Sequence, residues 1–151
     1  MKQPATSLHP RCDDARVLGI IDWFESLTPA TLDKLPGFYA AQARFKDPFN
    51  TVEGVAAIRA IFEHMFASLE QPRFVIQDVI VQGDQCFLTW DFDFRLKRRV
   101  AAMRIHGGSH LQLDPSGRIL VHRDYWDAAE ELYEKLPLIG ALMRWLRRRA
   151  G

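Results

Sequence analysis

From residue 73 to residue 126 the chain offers four extended segments in succession, 73–82, 86–97, 100–113 and 118–126, with nothing between them long enough for a crossover helix. The separators are Gly83-Asp84, the basic run at 97–99, and Asp114-Pro115-Ser116-Gly117. Such short turns join antiparallel neighbours, whereas parallel strands need a connection of a dozen or more residues. This stretch is therefore predicted to be a four-strand antiparallel meander. What precedes it has the other period. Val17, Ile20, Ile21, Phe24 and Leu27 recur at helical spacing behind Asp13 and Asp14, and Thr28-Pro29 ends that helix. A short helix is predicted over 32–39, capped by Thr31, with Pro36 near its first turn. A brief extended piece follows at 44–49, which Pro48 confines to an edge or an end. Gly54 opens a stronger helix over 55–69, in which Val55, Ile58, Ile61, Phe62, Met65, Phe66 and Leu69 form a stripe wide enough to pack on a sheet. Helices first and strands second predict the α+β class, with helices on one face of a curved sheet.

With 151 residues, 48% of them hydrophobic, the chain can bury a substantial core. One domain is expected over 13–151, behind a loose leader at 1–12 and ending in helical segments at 128–135 and 138–149 separated by Pro137. Twenty basic residues against nineteen acidic give a net charge of +1, so no global field favours nucleic acid. Cys12 and Cys86 form no C-x-x-C pair. They indicate neither a disulfide framework nor a thiolate metal site, and they suit a reducing, cytoplasmic setting. The longest stretches free of formal charge, 35–43 and 105–113, are nine residues long, so neither a signal peptide nor a spanning helix is expected.

The turn at 114–117 also predicts which side chains meet. A two-residue loop, Pro115-Ser116, would set Ser109 opposite His122, Gly107 opposite Asp124 and Ile105 opposite Trp126 on one side of the sheet. Met103, Leu111 and Leu113 share that side and make it the candidate interior, while His106, His110, Arg123 and Tyr125 take the other. Ile119 and Val121 would give that outer side apolar content as well. His122 and Asp124, two apart on a strand, point the same way with Cα atoms roughly 6.6 Å apart and can share a pocket. His106 and His110 stand about 13 Å apart, too far to bind one metal ion directly. No metal site and no cofactor are expected.

Two stretches carry a resemblance to a known family. Phe38-Tyr39-Ala40-Ala41-Gln42-Ala43-Arg44-Phe45-Lys46-Asp47-Pro48-Phe49, followed by Gly54 and Ala57-Ile58-Arg59, is similar to the SnoaL-like and ketosteroid isomerase-like branch of the nuclear transport factor 2-like superfamily. So is 114–126, with Gly117-Arg118-Ile119 and Tyr125-Trp126. The resemblance covers about 13–127. It implies a cone-shaped roll of helices packed into a strongly curved antiparallel sheet, a ligand cavity inside, and frequent homodimerisation through the outer sheet face, with the final helix as an addition.

In isomerase-like members the Asp of the Asp-Pro motif is the general base, and Asp47 stands there. That chemistry also asks for strong donors to an enolate oxygen, a Tyr and a protonated Asp. The donor Tyr falls on Trp23 and the donor Asp on Ser109, so both are replaced by weaker donors, which disfavours steroid isomerisation itself. SnoaL-like cyclases use an acid from the last strand, and Asp124 resembles that placement, with His122 beside it able to relay a proton. Asp47, Asp124 and His122 are thus the candidate catalytic residues, enclosed by candidate ligand-binding residues Trp23, Trp90, Phe92, Ser109 and Trp126. An epoxide-hydrolysing Asp-Arg-Asp arrangement is disfavoured because no arginine falls on the inner face beside these acids.

Four arginines at 144–149 could suggest anionic partners, but a cationic helix end that complements its own dipole is the preferred reading. Leu138, Leu142, Met143 and Leu146 would then pack on the cone as a cover, without insertion in a membrane. The expected function is binding of an apolar or polycyclic small molecule, with isomerase, cyclase or lyase chemistry by proton transfer. The alternative is a non-catalytic ligand-sensing or protein-interaction domain of the same fold.

Overall fold

The computed structural model describes residues 12–97, 101–131 and 137–150. The leader expected at 1–12 lies, up to residue 11, outside the described residues. So do residues 98–100 of the expected turn and third strand, and 132–135 of the expected penultimate helix.

Helix α1, Ala15–Glu25, starts where Asp14 accepts a hydrogen bond from the Arg16 backbone N–H, an N-cap that satisfies one of the helix's orphan donors. A 3₁₀ turn, Ala30–Lys34, and the single-turn α2, Leu35–Phe38, follow. The helix predicted over 32–39 is thus split and shorter at its end. Pro36 sits in the first turn of α2, and Tyr39 has already turned to extended backbone.

Strand β1, Tyr39–Lys46, is longer than the predicted 44–49 piece and lies inside the sheet rather than at its edge. Asp47 and Pro48 end it instead of riding on it. The short β2, Thr51–Glu53, folds back against it, with Phe45 opposite Val52. Helix α3, Val55–Ser68, begins at Gly54, whose φ of 94° suits glycine.

Strands β3 (Leu69–Gln82), β4 (Gln85–Leu96), β5 (Ala102–Leu113) and β6 (Ile119–Tyr125) form the antiparallel meander. The full sheet runs β2-β1-β6-β5-β4-β3, with β1 parallel to β6. Strict alternation along β4 buries Cys86, Leu88, Trp90, Phe92 and Phe94 on the face that meets Ile20, Phe24 and Phe62 of the helices.

The predicted β5–β6 register requires correction. Ser109 pairs with Asp124 and Leu111 with His122, two residues away from the expected match. The 114–117 turn is not a two-residue loop. The Asp114 carboxylate accepts the backbone N–H groups of Ser116 and Arg118, Gly117 adopts a φ of 84°, and Asp114 N–H bonds to the Arg118 carbonyl. One residue is therefore added at the turn, as in a glycine bulge. A second offset at Leu113 restores the parity, so His122 still points inward. Between the two offsets Ile119 faces Leu113 and is wholly buried, which removes it from the outer face where strict alternation had put it.

The terminal segments are α4, Ala128–Glu131, and α5, Pro137–Ala150. Proline opens α5, the position at which its missing N–H costs nothing. Leu142 and Leu146 are exposed, together with Trp145, so these side chains do not form the predicted cover. Those of Leu138 and Met143 lie outside the described residues. No helix among the described residues is long and apolar enough to cross a membrane.

Candidate functional site

Between the helices and the concave sheet face lies a cavity of about 440 Å³, within the range of small-molecule sites. Its walls are mostly aromatic and aliphatic, with Phe45 from β1, Phe62 and Met65 from α3, Phe74 from β3, and Trp90 and Phe92 from β4. Phe74 and Phe92 stack with centroids 4.5 Å apart, and Trp90 meets Phe74 edge to face. Glycine at 107 permits this wall. A Cβ there would come within 2.6 Å of the Trp90 ring and 2.9 Å of Trp126 Cβ.

Along this lining β1, β4, β5 and β6 join one chain of polar groups. Trp90 Nε1 donates to Ser109 Oγ at 2.8 Å, and Ser109 Oγ lies 2.5 Å from Asp124 Oδ1. His122 Nε2 is 2.7 Å from the same oxygen, and His122 Nδ1 is 2.7 Å from the Tyr39 hydroxyl. With Asp124 ionised and His122 neutral, one assignment of donors and acceptors satisfies every bond. An indole N–H only donates, so Ser109 Oγ accepts it and donates its own O–H to Asp124. Asp124 then receives the His122 Nε2–H, which leaves Nδ1 as acceptor for the Tyr39 O–H. Burial, with the Asp124 charge nearby, pushes the Tyr39 phenol well above its ordinary range, so it stays a donor. No buried side-chain nitrogen or oxygen among the described residues lacks a partner. The two donors both engage Oδ1, and among the described residues no protein group donates to Asp124 Oδ2. Asp124 lines both the cavity and a second pocket on the side of Lys46 and Arg123.

Asp47 also lines the cavity, but its carboxylate is committed to a turn. Oδ1 accepts the backbone N–H of Phe49 at 2.8 Å and of Asn50 at 2.6 Å, and the Asn50 amide reaches both oxygens at 3.1 Å. The residue is half-buried at the rim beside the exposed Phe49, whose ring meets Trp126 edge to face. A second pocket, of about 540 Å³, shares Asp47, Asp124 and Trp126 with the cavity on the side of Lys46 and Arg123.

Seven of the eight sequence-derived site residues line the cavity, Asp47, Asp124, His122, Trp90, Phe92, Ser109 and Trp126. Trp23 does not. Its indole N–H donates to the Thr31 carbonyl at 3.1 Å and its ring stacks on Phe38, so it belongs to the core behind the wall. No arginine lines the cavity among the described residues. On the outer face His106 bonds to Asp91 and His110 to Gln85. Sequence reasoning missed Tyr39, because it assigned that residue to a helix. The inward-facing Ala43 and Phe45 would have disclosed it had the strand been started earlier.

Comparison with known proteins agrees with this architecture. The model of the SnoaL-like domain matches residues 20–122. No curated protein sequence matches this chain. A protein of ketosteroid isomerase-like fold from Catenulispora acidiphila, solved in complex with trimethylamine, superposes with a TM-score of 0.66 at 18% identity, covering 78% of this chain and 89% of that one. An epoxide hydrolase from M. tuberculosis gives 0.64 at 12% identity over 87% and 89%. A protein described as a SnoaL-like polyketide cyclase, from Shewanella putrefaciens, gives 0.66 at 17% identity over 79% and 96%. At these identities the likeness is one of fold, and structural relatives on this fold thus differ in chemistry. With more than half of its length matched by the domain model, the chain belongs to the SnoaL-like family, on the nuclear transport factor 2-like, ketosteroid isomerase-like fold.

Proposed function

We propose that the protein binds an apolar, polycyclic or polyketide-like molecule in the cone and moves a proton on it through Asp124. The observation that carries this reading is the chain of hydrogen bonds from Tyr39 to Trp90, which meets at a single oxygen of Asp124, a residue that lines a mostly apolar cavity, and leaves its other oxygen without a protein donor among the described residues.

In this reading Asp124 Oδ2 takes a proton from an acidic C–H of the ligand and returns it at another carbon or oxygen. Ser109 and His122 hold Oδ1 and keep the carboxylate oriented, and Tyr39 fixes the His122 tautomer. The aromatic walls exclude water, which strengthens the electrostatics of the step. Asp47, tied into its turn, shapes the rim and adds negative charge there without acting as the base. The absence of an arginine from the described lining weighs against epoxide opening, and Trp23 and Ser109, both already bonded within the protein, weigh against steroid isomerisation.

A screen of polycyclic ketones, polyketide intermediates and enone lipids by thermal shift identifies a ligand. Turnover of that ligand is then compared in wild type and Asp124→Asn. Retained affinity with turnover lowered about a hundredfold or more supports the reading, in line with the usual worth of a positioned base. Binding with no turnover in either protein would favour a ligand-sensing domain. The outer sheet face, with exposed Ile80, Leu120 and Tyr125, is the surface through which a homodimer would form, and light scattering at micromolar concentration tests it.

A further inference from the structure

We propose that α5 is an interfacial helix that docks the protein on an anionic lipid bilayer. Leu142, Trp145 and Leu146 are spaced i, i+3 and i+4, which places them on one side of the helix, and all three are exposed, at 53%, 44% and 45%. Arg144 and Arg148, themselves i and i+4, lie on the other side and are exposed as well. Arg149 sits over the Trp145 ring at 4.6 Å, a pairing that lets the ring enter the acyl boundary while the guanidinium stays at headgroup level. Residues 137–150 contain four arginines and no Asp or Glu. A side of Leu142, Trp145 and Leu146 that Arg149 closes at its C-terminal end, opposite a side with Arg144 and Arg148, describes a helix that lies in a membrane interface without crossing it.

Charge complementarity selects this occupant. A second copy of α5 would bring arginines against arginines. On the outer sheet Asp93 is engaged by Arg104 and Asp91 by His106. Nucleic acid would meet the arginines but leave the leucines and Trp145 in water, whereas a bilayer of anionic lipid satisfies both sides at once.

The full chain is sedimented with vesicles of phosphatidylcholine alone and of phosphatidylcholine with phosphatidylglycerol, at low and high salt. Binding is expected only to the anionic vesicles and should weaken with salt. Arg144→Ala and Arg148→Ala should each lower partitioning about fivefold, and Leu142→Ser with Trp145→Ser should abolish it while leaving the thermal melt of the cone unchanged. If the double variant fails to fold, the two arginine variants decide alone. Equal binding to neutral vesicles, no binding to anionic ones, or arginine variants that bind as wild type would overturn the proposal. A concentration-dependent dimer lost in the double variant would assign the face to a second copy, and tighter binding to duplex DNA than to vesicles would assign it to nucleic acid. Either result would equally overturn it.

Discussion

A hydrogen bond of 2.7 Å joins the Tyr39 hydroxyl to His122 Nδ1 across 83 residues of sequence, and this one bond makes the site depend on the parallel pairing of β1 with β6. Tyr39 pairs with Ile119 and Phe45 with His122, with a register shift between Tyr39 and Arg44, and both Tyr39 and Phe45 are buried. The first strand of the sheet thereby holds one ring nitrogen of a histidine on the last.

Tyr39→Phe tests that dependence. The variant keeps the ring and leaves Nδ1 of a buried imidazole without a donor, which should cost about 1–3 kcal/mol of stability. Nitrogen NMR of His122 should show the Nε2–H tautomer in wild type and a mixture in the variant. An unchanged spectrum would mean that Asp124 alone holds the ring.

The two carboxylates of the cavity should separate on mutation. Asp47→Asn loses acceptor strength in a turn and should cost about 1 kcal/mol with little effect on turnover of an identified ligand, while Asp124→Asn should abolish most of it. Denaturant melts and steady-state rates on both variants check this. A larger rate loss at Asp47 would restore the base role that the Asp-Pro motif implies.

Gly107→Ala should force Trp90 and Trp126 apart, because its new Cβ would fall 2.6 Å from one and 2.9 Å from the other. A destabilisation of about 1–3 kcal/mol is expected, as for other overpacked sites, together with weaker ligand binding. A variant as stable as wild type would show that this wall yields readily.

Stability should fall at alkaline pH. Burial pushes the Cys86 thiol up to about 12 and the Tyr39 phenol well above 10, so the unfolded chain releases these protons at lower pH than the folded one. Their contribution is complete below the unfolded values and is lost, at up to about 1.4 kcal/mol per pH unit for each group, as pH rises from about 9 toward 12. Melts of wild type and Cys86→Ala across that range should converge in slope below pH 9 and diverge above it. Parallel curves throughout would contradict the assignment.

Much of the site was legible because strand parity is robust. A register error of two residues left Ser109, His122 and Asp124 on the inner face, where the structure has them. What parity could not supply was the pair of offsets around the turn, since the carboxylate of Asp114 gathers two backbone N–H groups there in place of a tight two-residue loop. Trp23 misled because a position counted along a helix says nothing of where an indole N–H points, and here Thr31 claims it. The sequence of α5 predicts a cover where the structure has an exposed side, because a stripe of leucines has the same spacing whether its partner is the domain itself or something outside it.

The central claim, proton transfer at Asp124, is tested most directly by deuterium exchange at the acidic carbon of a bound ligand in heavy water, with wild type and Asp124→Asn held at equal occupancy. Exchange catalysed by wild type and slowed about a hundredfold or more in the variant is the predicted result. Exchange at equal rates in the two proteins would contradict it.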